Sequence, residues 1–503
     1  IYTNSVKVWR TKSRGDYWIL DIESGNLWQL GGDEAEESSL QFAKFSPDAT
    51  RVAYVREDDI YVQELEDGSI EQITTDASDT VINGLFDWVY EEEFYCKDGF
   101  RWSPDGRKIA YWQLDTSAAQ EFSIINNTDT LYPVVTRFPY PKVGEENSAA
   151  RVGVVSLESK QTVWAKLPGI AKDMYVPRMA WANDESTHLL VQHVNRKQDI
   201  NHVYTVDVDS GDLATVLVDE EEDFIEVYED VTWLEEDAFT WISERGGWRH
   251  IYRVSTDGGS IVDLTPGEFD ITKMGAVDEA GGWVYFIASP ENVTQRYLYR
   301  SRLDGSGGME RVTPDEYAGT NSYQMSDDAR WAIHTFSSFT QPPQTRLISL
   351  PDHKTRKVIE DNQELTEKLA GLATGKHDFF QVEARDGLVM DGIIMRPPDF
   401  DPQAKYPIIN YVYGEPWGQT TQDEWGESTH LWHVLMTQRG YIVSTVDNRG
   451  TRAPRGRAWR RSLYGAVGVL ASRDQSDALN AMGERWPYID MDRVGIWGHS
   501  GGG

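Results

Sequence analysis

Arg493-Val494-Gly495-Ile496-Trp497-Gly498-His499-Ser500-Gly501-Gly502 is the stretch that decides how this chain is read. Its first half is a short, largely apolar run, which reads as a buried strand. Its second half fits G-x-S-x-G, the strained strand-to-helix turn that lifts a serine hydroxyl above the end of an α/β sheet. Ser500 and Gly501 are therefore the first candidate site residues, with the Gly501 N–H as an oxyanion donor. In folds built around this turn the activating acid and histidine come later in the chain. Only Gly503 follows here, and Ile1 opens the chain. The expectation is an internal piece of a longer protein, with the acid and histidine beyond residue 503. These residues alone are then expected not to hydrolyse anything through Ser500.

Upstream of the turn, strands and helices alternate. Strands are expected at Gly387–Met395, Pro407–Tyr413 and Tyr441–Val446. Helices are expected at Thr429–Arg439 and Arg473–Trp486, the latter with Ala478, Leu479, Met482 and Trp486 near helical spacing. This alternation predicts a parallel α/β sheet over residues 381–503, with the serine turn at a strand's carboxyl end, where such sheets place their sites. A short helix or linker is expected over 361–380, around Gln363–Leu369.

Residues 1–360 follow a different grammar. Phe45-Ser46-Pro47-Asp48 leads into the apolar run Arg51–Val55, then Ile60-Tyr61-Val62 and the turn Asp67-Gly68. Trp102-Ser103-Pro104-Asp105-Gly106 leads likewise into Lys108–Trp112. Looser copies run Val203–Val206, Ile251–Val254 and Tyr297–Tyr299, each before a Ser-Gly or Asp-Gly turn. The units recur roughly every 45–55 residues with several short strands each, the signature of propeller blades. The chain is therefore expected to be a β-propeller of about seven or eight blades followed by a truncated α/β-hydrolase domain. A β-sandwich shares the short strands but not so long a series of units.

Composition narrows the function. There are 82 acidic and 48 basic residues and a net charge of −34, which excludes a phosphate-neutralising nucleic-acid binder. No apolar run is long enough to cross a membrane. One cysteine, Cys96, excludes intramolecular disulfides and cysteine metal cages. It does not fix a compartment, although an exported or periplasmic bacterial protein is expected.

A propeller followed by an α/β-hydrolase resembles the prolyl oligopeptidase family of serine peptidases. Asp87-Trp88-Val89-Tyr90-Glu91-Glu92-Glu93-Phe94 followed by Trp102-Ser103-Pro104 resembles the dipeptidyl peptidase IV branch, as do Pro139–Gly144 and Asp447-Asn448-Arg449-Gly450. Three adjacent glutamates in so acidic a chain usually mark a solvated face. Here they are bracketed by Trp88, Tyr90, Phe94 and Tyr95. The resemblance implies that Glu92 and Glu93 hold the free N-terminus of a peptide substrate, allowing two residues before the cut. It also implies that Tyr413, in Val412-Tyr413-Gly414-Glu415-Pro416, donates its hydroxyl to the oxyanion. By the same resemblance the chain is a serine exopeptidase that releases dipeptides, with Pro or Ala before the cut. Peptides are the expected partners, a homodimer is possible, and no cofactor or metal is called for.

Two features depart from the family pattern: His499 where many relatives carry tryptophan, and Gly501 where some carry tyrosine. The family's arginine contact to the substrate backbone is not placed by any motif. Rival readings are a prolyl oligopeptidase or acylaminoacyl peptidase, which need no glutamate pair, and a non-catalytic propeller binding protein with a vestigial hydrolase domain. His430 and His433 share a helix face without an evident third metal ligand. The arginines between 449 and 461 read as partners for the protein's own carboxylates. Asp447 ends a strand, but the chain order of the fold argues against it as the triad acid. Asn292-Val293-Thr294 is a glycosylation sequon in form only.

Overall fold

The computed structural model describes residues 1–183, 185–235 and 237–503. The chain divides into two compact units, Ile1–Glu229 with Thr256–Gly258, and Asp230–Ser255 with Gly259–Gly503. Among the described residues, seven antiparallel sheets of three to five strands, all before residue 361, make up the propeller part. A mixed sheet with flanking helices then builds the hydrolase part.

The first unit holds four of these sheets. The serine of each Ser-Pro-Asp turn ties the turn to the strand that follows. Ser46 donates to Asp48 at 2.6 Å and accepts from the Arg51 N–H at 3.0 Å. Ser103 donates to Asp105 at 2.6 Å and accepts from the Lys108 N–H at 2.9 Å. The hydroxyl of Ser46 and the backbone of Thr50 hold the Asp48 carboxyl down to about 2. The strands after these turns, Arg51–Arg56 and Lys108–Asp115, are almost wholly buried. Phe86, Tyr90, Trp112 and Val176 pack between sheets, and the Trp112 indole donates to the Val176 carbonyl at 2.7 Å. Each such side chain contributes on the order of 1.5–3 kcal/mol by leaving water. A two-stranded hairpin, Glu121–Asn126 with Val134–Pro139, stands apart from the blade sheets and exposes Ile124, Ile125, Leu131 and Tyr132.

The second unit holds the remaining three blades and the hydrolase sheet. Ser326 and Asp328 rebuild the same turn without a proline, with the hydroxyl 2.6 Å from the carboxylate. The looser copies at 203–206, 251–254 and 297–299 lie inside strands Ile200–Asp207, His250–Ser255 and Tyr297–Arg302.

The hydrolase sheet runs His377–Glu383, Val389–Met395, Ile442–Val446, Tyr406–Val412, Ile489–Gly498 in spatial order. The last three strands are parallel, but Val389–Met395 is antiparallel to both neighbours. The reason is local: a tight turn through Gly387, φ +86°, joins it to His377–Glu383, and a parallel pair needs a long crossover. Helices Glu427–Gln438 and Val469–Arg485 supply the crossovers that the sequence predicts. Ala478 and Met482, one turn apart, are fully buried with Met390, Ile394 and Ile442. Among the described residues strand Ile489–Gly498 pairs only with Tyr406–Val412, and Val494 and Ile496 are exposed rather than buried as their apolar run predicts. Among the described residues no helix is long and apolar enough to cross a membrane.

Candidate active site

Strand Ile489–Gly498 runs straight into a turn of 3-10 helix at Ser500–Gly502. Ser500 has φ +54°, a left-handed conformation that a non-glycine residue adopts at a cost on the order of 1–3 kcal/mol. The glycines around it are required by close approach. A Cβ on Gly502 would strike the Val412 carbonyl oxygen, and one on Gly498 would lie 2.6 Å from that same oxygen. A Cβ on Gly501 would strike Glu415 Cγ and lie 2.9 Å from Glu415 Cβ. The serine turn is thus pressed against the loop that follows strand Tyr406–Val412, which brings Ser500 and Gly501 beside the loop that opens with Tyr413. Ser500 itself is exposed.

That loop is held from three sides. Gly414 has φ +81°, and its carbonyl accepts from Asn448 at 3.0 Å. Asn448 in turn is held by Gln475, Gln475 by Asn410 and Asn410 by Ser444, a buried chain of side-chain hydrogen bonds at 2.7–2.9 Å. Asp447 accepts from the Thr420 N–H at 2.8 Å, the Thr420 hydroxyl at 3.0 Å and the Thr421 N–H at 3.2 Å. Burial pushes its carboxyl up to about 6 while these donors pull it down. Asp447 is therefore an anchor of this loop. Gly418 passes so near the Tyr413 ring that a Cβ there would lie 2.8 Å from it. Tyr411, two residues earlier, instead packs 4.5 Å from the Trp497 ring and 5.4 Å from His433.

Glu92 and Glu93 lie in the first unit, on helix Trp88–Phe94. Asp87 caps it by accepting from the Tyr90 N–H at 3.1 Å, and Ser148 donates to the same carboxylate at 2.6 Å. Tyr90, Glu91 and Phe94 form its buried face. Glu91 accepts from the Thr11 N–H and hydroxyl, both at 2.7 Å, and from the Lys12 N–H at 3.0 Å, so it is a structural residue. The next two glutamates point elsewhere. Glu92 is partly exposed and pairs with Arg10 at 2.9 Å, and Glu93 is exposed. Crowding by surrounding protein, then the like charge of Glu92, push the Glu93 carboxyl above its ordinary value. Trp88 packs against Tyr140 with the rings tilted and their centres 4.4 Å apart, which ties the helix to the Pro139–Gly144 segment.

Sequence reasoning missed two residues here. Arg10 lies some eighty positions before Glu92 with no motif of its own, and its guanidinium is three-quarters exposed beside the pair. Glu415 is 6% exposed and occupies the space over Gly501 where a side chain would otherwise stand. Among the described residues its Oε2 has no hydrogen-bond partner, and burial raises its carboxyl. The absent side chain at Gly501 was the available signal.

The other constellations are accounted for by packing. His430 lies against Trp425 and Phe339 and His433 against Tyr411 and Trp497, and burial pushes both imidazoles down to about 4. Among the described residues no group of three His, Cys, Asp or Glu could hold a metal ion. Arg449 pairs with Asp474 and Asp386, Arg455 with Asp391, and Arg460 and Arg461 with Glu244. Asn292 accepts from the Thr294 N–H and hydroxyl, so the sequon folds into a turn.

Comparison with known proteins agrees with this architecture. Residues 1–343 match the family described as the dipeptidyl peptidase IV (DPP IV) N-terminal region, and residues 413–503 match the prolyl oligopeptidase family. A probable dipeptidyl-aminopeptidase B of Talaromyces marneffei is 29% identical over all of this chain and 58% of its own length. A probable dipeptidyl peptidase 4 of Aspergillus flavus is 29% identical over all of this chain and 66% of its own. The crystal structure of Porphyromonas gingivalis dipeptidyl peptidase 4 superposes with a TM-score of 0.93 at 30% identity, covering all of this chain and 70% of that one. The chain thus spans about three-fifths to two-thirds of the length of these curated fungal relatives. It belongs to the dipeptidyl peptidase IV branch of the prolyl oligopeptidase family.

Proposed function

We propose that the whole protein is a serine exopeptidase that removes dipeptides from free N-termini, with Pro or Ala before the cut. The observation that carries this reading is the division of labour among three adjacent glutamates. Glu91 is consumed by the fold, while on the same capped helix Glu93 is exposed and Glu92 is partly exposed beside Arg10. Two carboxylates on a rigid element suit a primary ammonium, through charge-assisted hydrogen bonds. Arg10 pairs with Glu92 at 2.9 Å, so part of that carboxylate's charge is already balanced.

Ser500 Oγ attacks the carbonyl carbon of the second residue and loses its proton to a histidine base, which in this fold comes later in the chain. The oxyanion is met by the Gly501 N–H and the Tyr413 hydroxyl. Collapse of the tetrahedral intermediate breaks the peptide bond as the histidine protonates the leaving amine. Water then attacks the acyl-enzyme and frees the dipeptide. No step calls for a cofactor. We propose a second copy of the chain as partner, supported by the exposed apolar hairpin Glu121–Pro139.

The test is product size. The full-length protein is incubated with a free-amine peptide carrying proline at its second position, and the fragments are weighed by mass spectrometry. Sequential dipeptides, lost when a fluorophosphonate labels Ser500, support the reading. Internal cleavage, or release of single residues, overturns it.

A further inference from the structure

The loop after Tyr413 is gripped by the propeller as well as by the hydrolase sheet. Asp423 accepts from the Gln295 side-chain amide at 2.9 Å and from the Phe339 N–H at 2.8 Å, and its own N–H donates to the Thr294 carbonyl at 2.8 Å. Gln419 accepts from Arg296 at 2.5 Å and donates to the Val293 carbonyl at 3.1 Å. Arg296 has no carboxylate in ion-pair contact among the described residues. Its guanidinium goes to Gln419 and to the carbonyls of Val293 and Gln295.

Two blades take part. Val293–Arg296 precedes strand Tyr297–Arg302, and Phe339 sits in the turn between strands Trp331–Ser338 and Gln341–Ser349. The Arg296 N–H donates to the Gly319 carbonyl at 3.0 Å, and the Arg296 carbonyl accepts from the Asn321 N–H at 3.1 Å, so the blade edges are fastened to each other. From the hydrolase side the same loop is fixed by Asp447 at Thr420 and Thr421, and by the Arg452 N–H on the Gly418 carbonyl at 3.0 Å. All of these residues belong to the second unit.

We propose that Asp423 and Arg296 are positioning residues for Tyr413. The propeller edge sets the far end of the loop whose near end carries the oxyanion donor. Tyr413 directly follows strand Tyr406–Val412, so its backbone is fixed on one side by the sheet. On the other side the Gly414–Gly418 stretch has no strand or helix of its own; Asn448 holds the Gly414 carbonyl and Arg452 the Gly418 carbonyl, and the chain beyond them is set where residues 419–423 are tied. A hydroxyl helps an oxyanion only if it already stands at hydrogen-bond distance from where the charge develops. Loosening the tie therefore weakens the transition state more than substrate binding, and kcat falls while KM holds. This inference rests on the peptidase function proposed above.

The experiment is a double-mutant cycle in the full-length protein, read as kcat and KM on a free-amine Xaa-Pro amide. Asp423→Ala is expected to lower kcat about tenfold to a hundredfold with KM within about twofold. Asp423→Asn, which keeps one acceptor, loses less. In a Tyr413→Phe background, Asp423→Ala is expected to change kcat by less than about twofold, because the group it positions is already gone. Ser500 labelling by a fluorophosphonate, which counts folded sites, stays stoichiometric. Equal losses in both backgrounds overturn the inference and leave the peptidase reading standing. A Tyr413→Phe variant with unchanged kcat overturns the role of Tyr413 and this inference with it. If Asp423→Ala does not fold, Asp423→Asn and Gln419→Leu run the same cycle with the same two outcomes.

Discussion

Helix Trp88–Phe94 and the serine turn at Gly498–Gly502 are both short, and they achieve precision by opposite means. The helix works by adding side chains. Asp87 caps it, Tyr90, Glu91 and Phe94 root it, and Glu92 and Glu93 stand out from it. The turn works by leaving side chains out. Gly498, Gly501 and Gly502 let the backbone press onto Val412 and Glu415, with Ser500 held in a left-handed conformation between them. An element built from side chains degrades by steps when one is removed. An element built from close backbone approach fails when one is added.

The largest expected effect lies at the turn. Ser500→Ala is expected to lower kcat about a millionfold, as removal of a triad nucleophile does. A loss below about a hundredfold on an Xaa-Pro amide would mean that another group attacks. The glycines come next. Gly501→Ala is expected to cost about a hundredfold in kcat, because its Cβ collides with the Glu415 stem. Glu415→Gly in the same chain is expected to recover most of that loss. If the second change recovers nothing, the collision is not what limits the turn.

At the helix, smaller and separable effects are expected. Glu92→Ala or Glu93→Ala should raise KM for free-amine substrates roughly thirtyfold or more, with kcat less affected. Glu91→Ala should instead lower Tm, because three donors lose their acceptor at a cost on the order of 1–3 kcal/mol. A KM effect at Glu91 equal to that at Glu92 would erase the distinction between rooted and presented glutamates.

The smallest effect is a pH shift. Glu93 is raised, so on acidification it takes a proton before an ordinary glutamate would, whereas the substrate ammonium stays charged. KM for a free-amine substrate should therefore climb as pH falls, beginning above the ordinary glutamate value of about 4.3. Glu92→Gln removes the like charge that contributes to the shift, and should move the climb to lower pH. A climb that does not move would leave burial alone as the cause.

Much of this was legible in the sequence because the relevant physics is local. Ser46-Pro47-Asp48 and Ser103-Pro104-Asp105 announce turns whose hydrogen bonds lie within five residues. The order of Tyr90, Glu91 and Phe94 against Glu92 and Glu93 follows helical periodicity, so even the rooting of Glu91 is implicit in the spacing. Strand and helix positions in the hydrolase part follow the same logic to within a few residues. What was not legible depends on partners far apart in the chain. Glu415 matters because Gly501 lacks a side chain, Arg10 because the fold brings it to Glu92, and Asp423 because two blade turns reach it. The antiparallel pairing of Val389–Met395 was missed because alternation of strands and helices says nothing about a tight turn that replaces one helix.

The most direct measurement compares kcat/KM of the full-length protein on a free-amine Xaa-Pro amide with that on its N-acetylated twin. Presented carboxylates at Glu92 and Glu93 predict a preference for the free amine of about a hundredfold or more. The preference should shrink toward parity when both glutamates are changed to glutamine. Equal turnover of the two substrates, or faster cleavage of the acetylated one, would contradict the account.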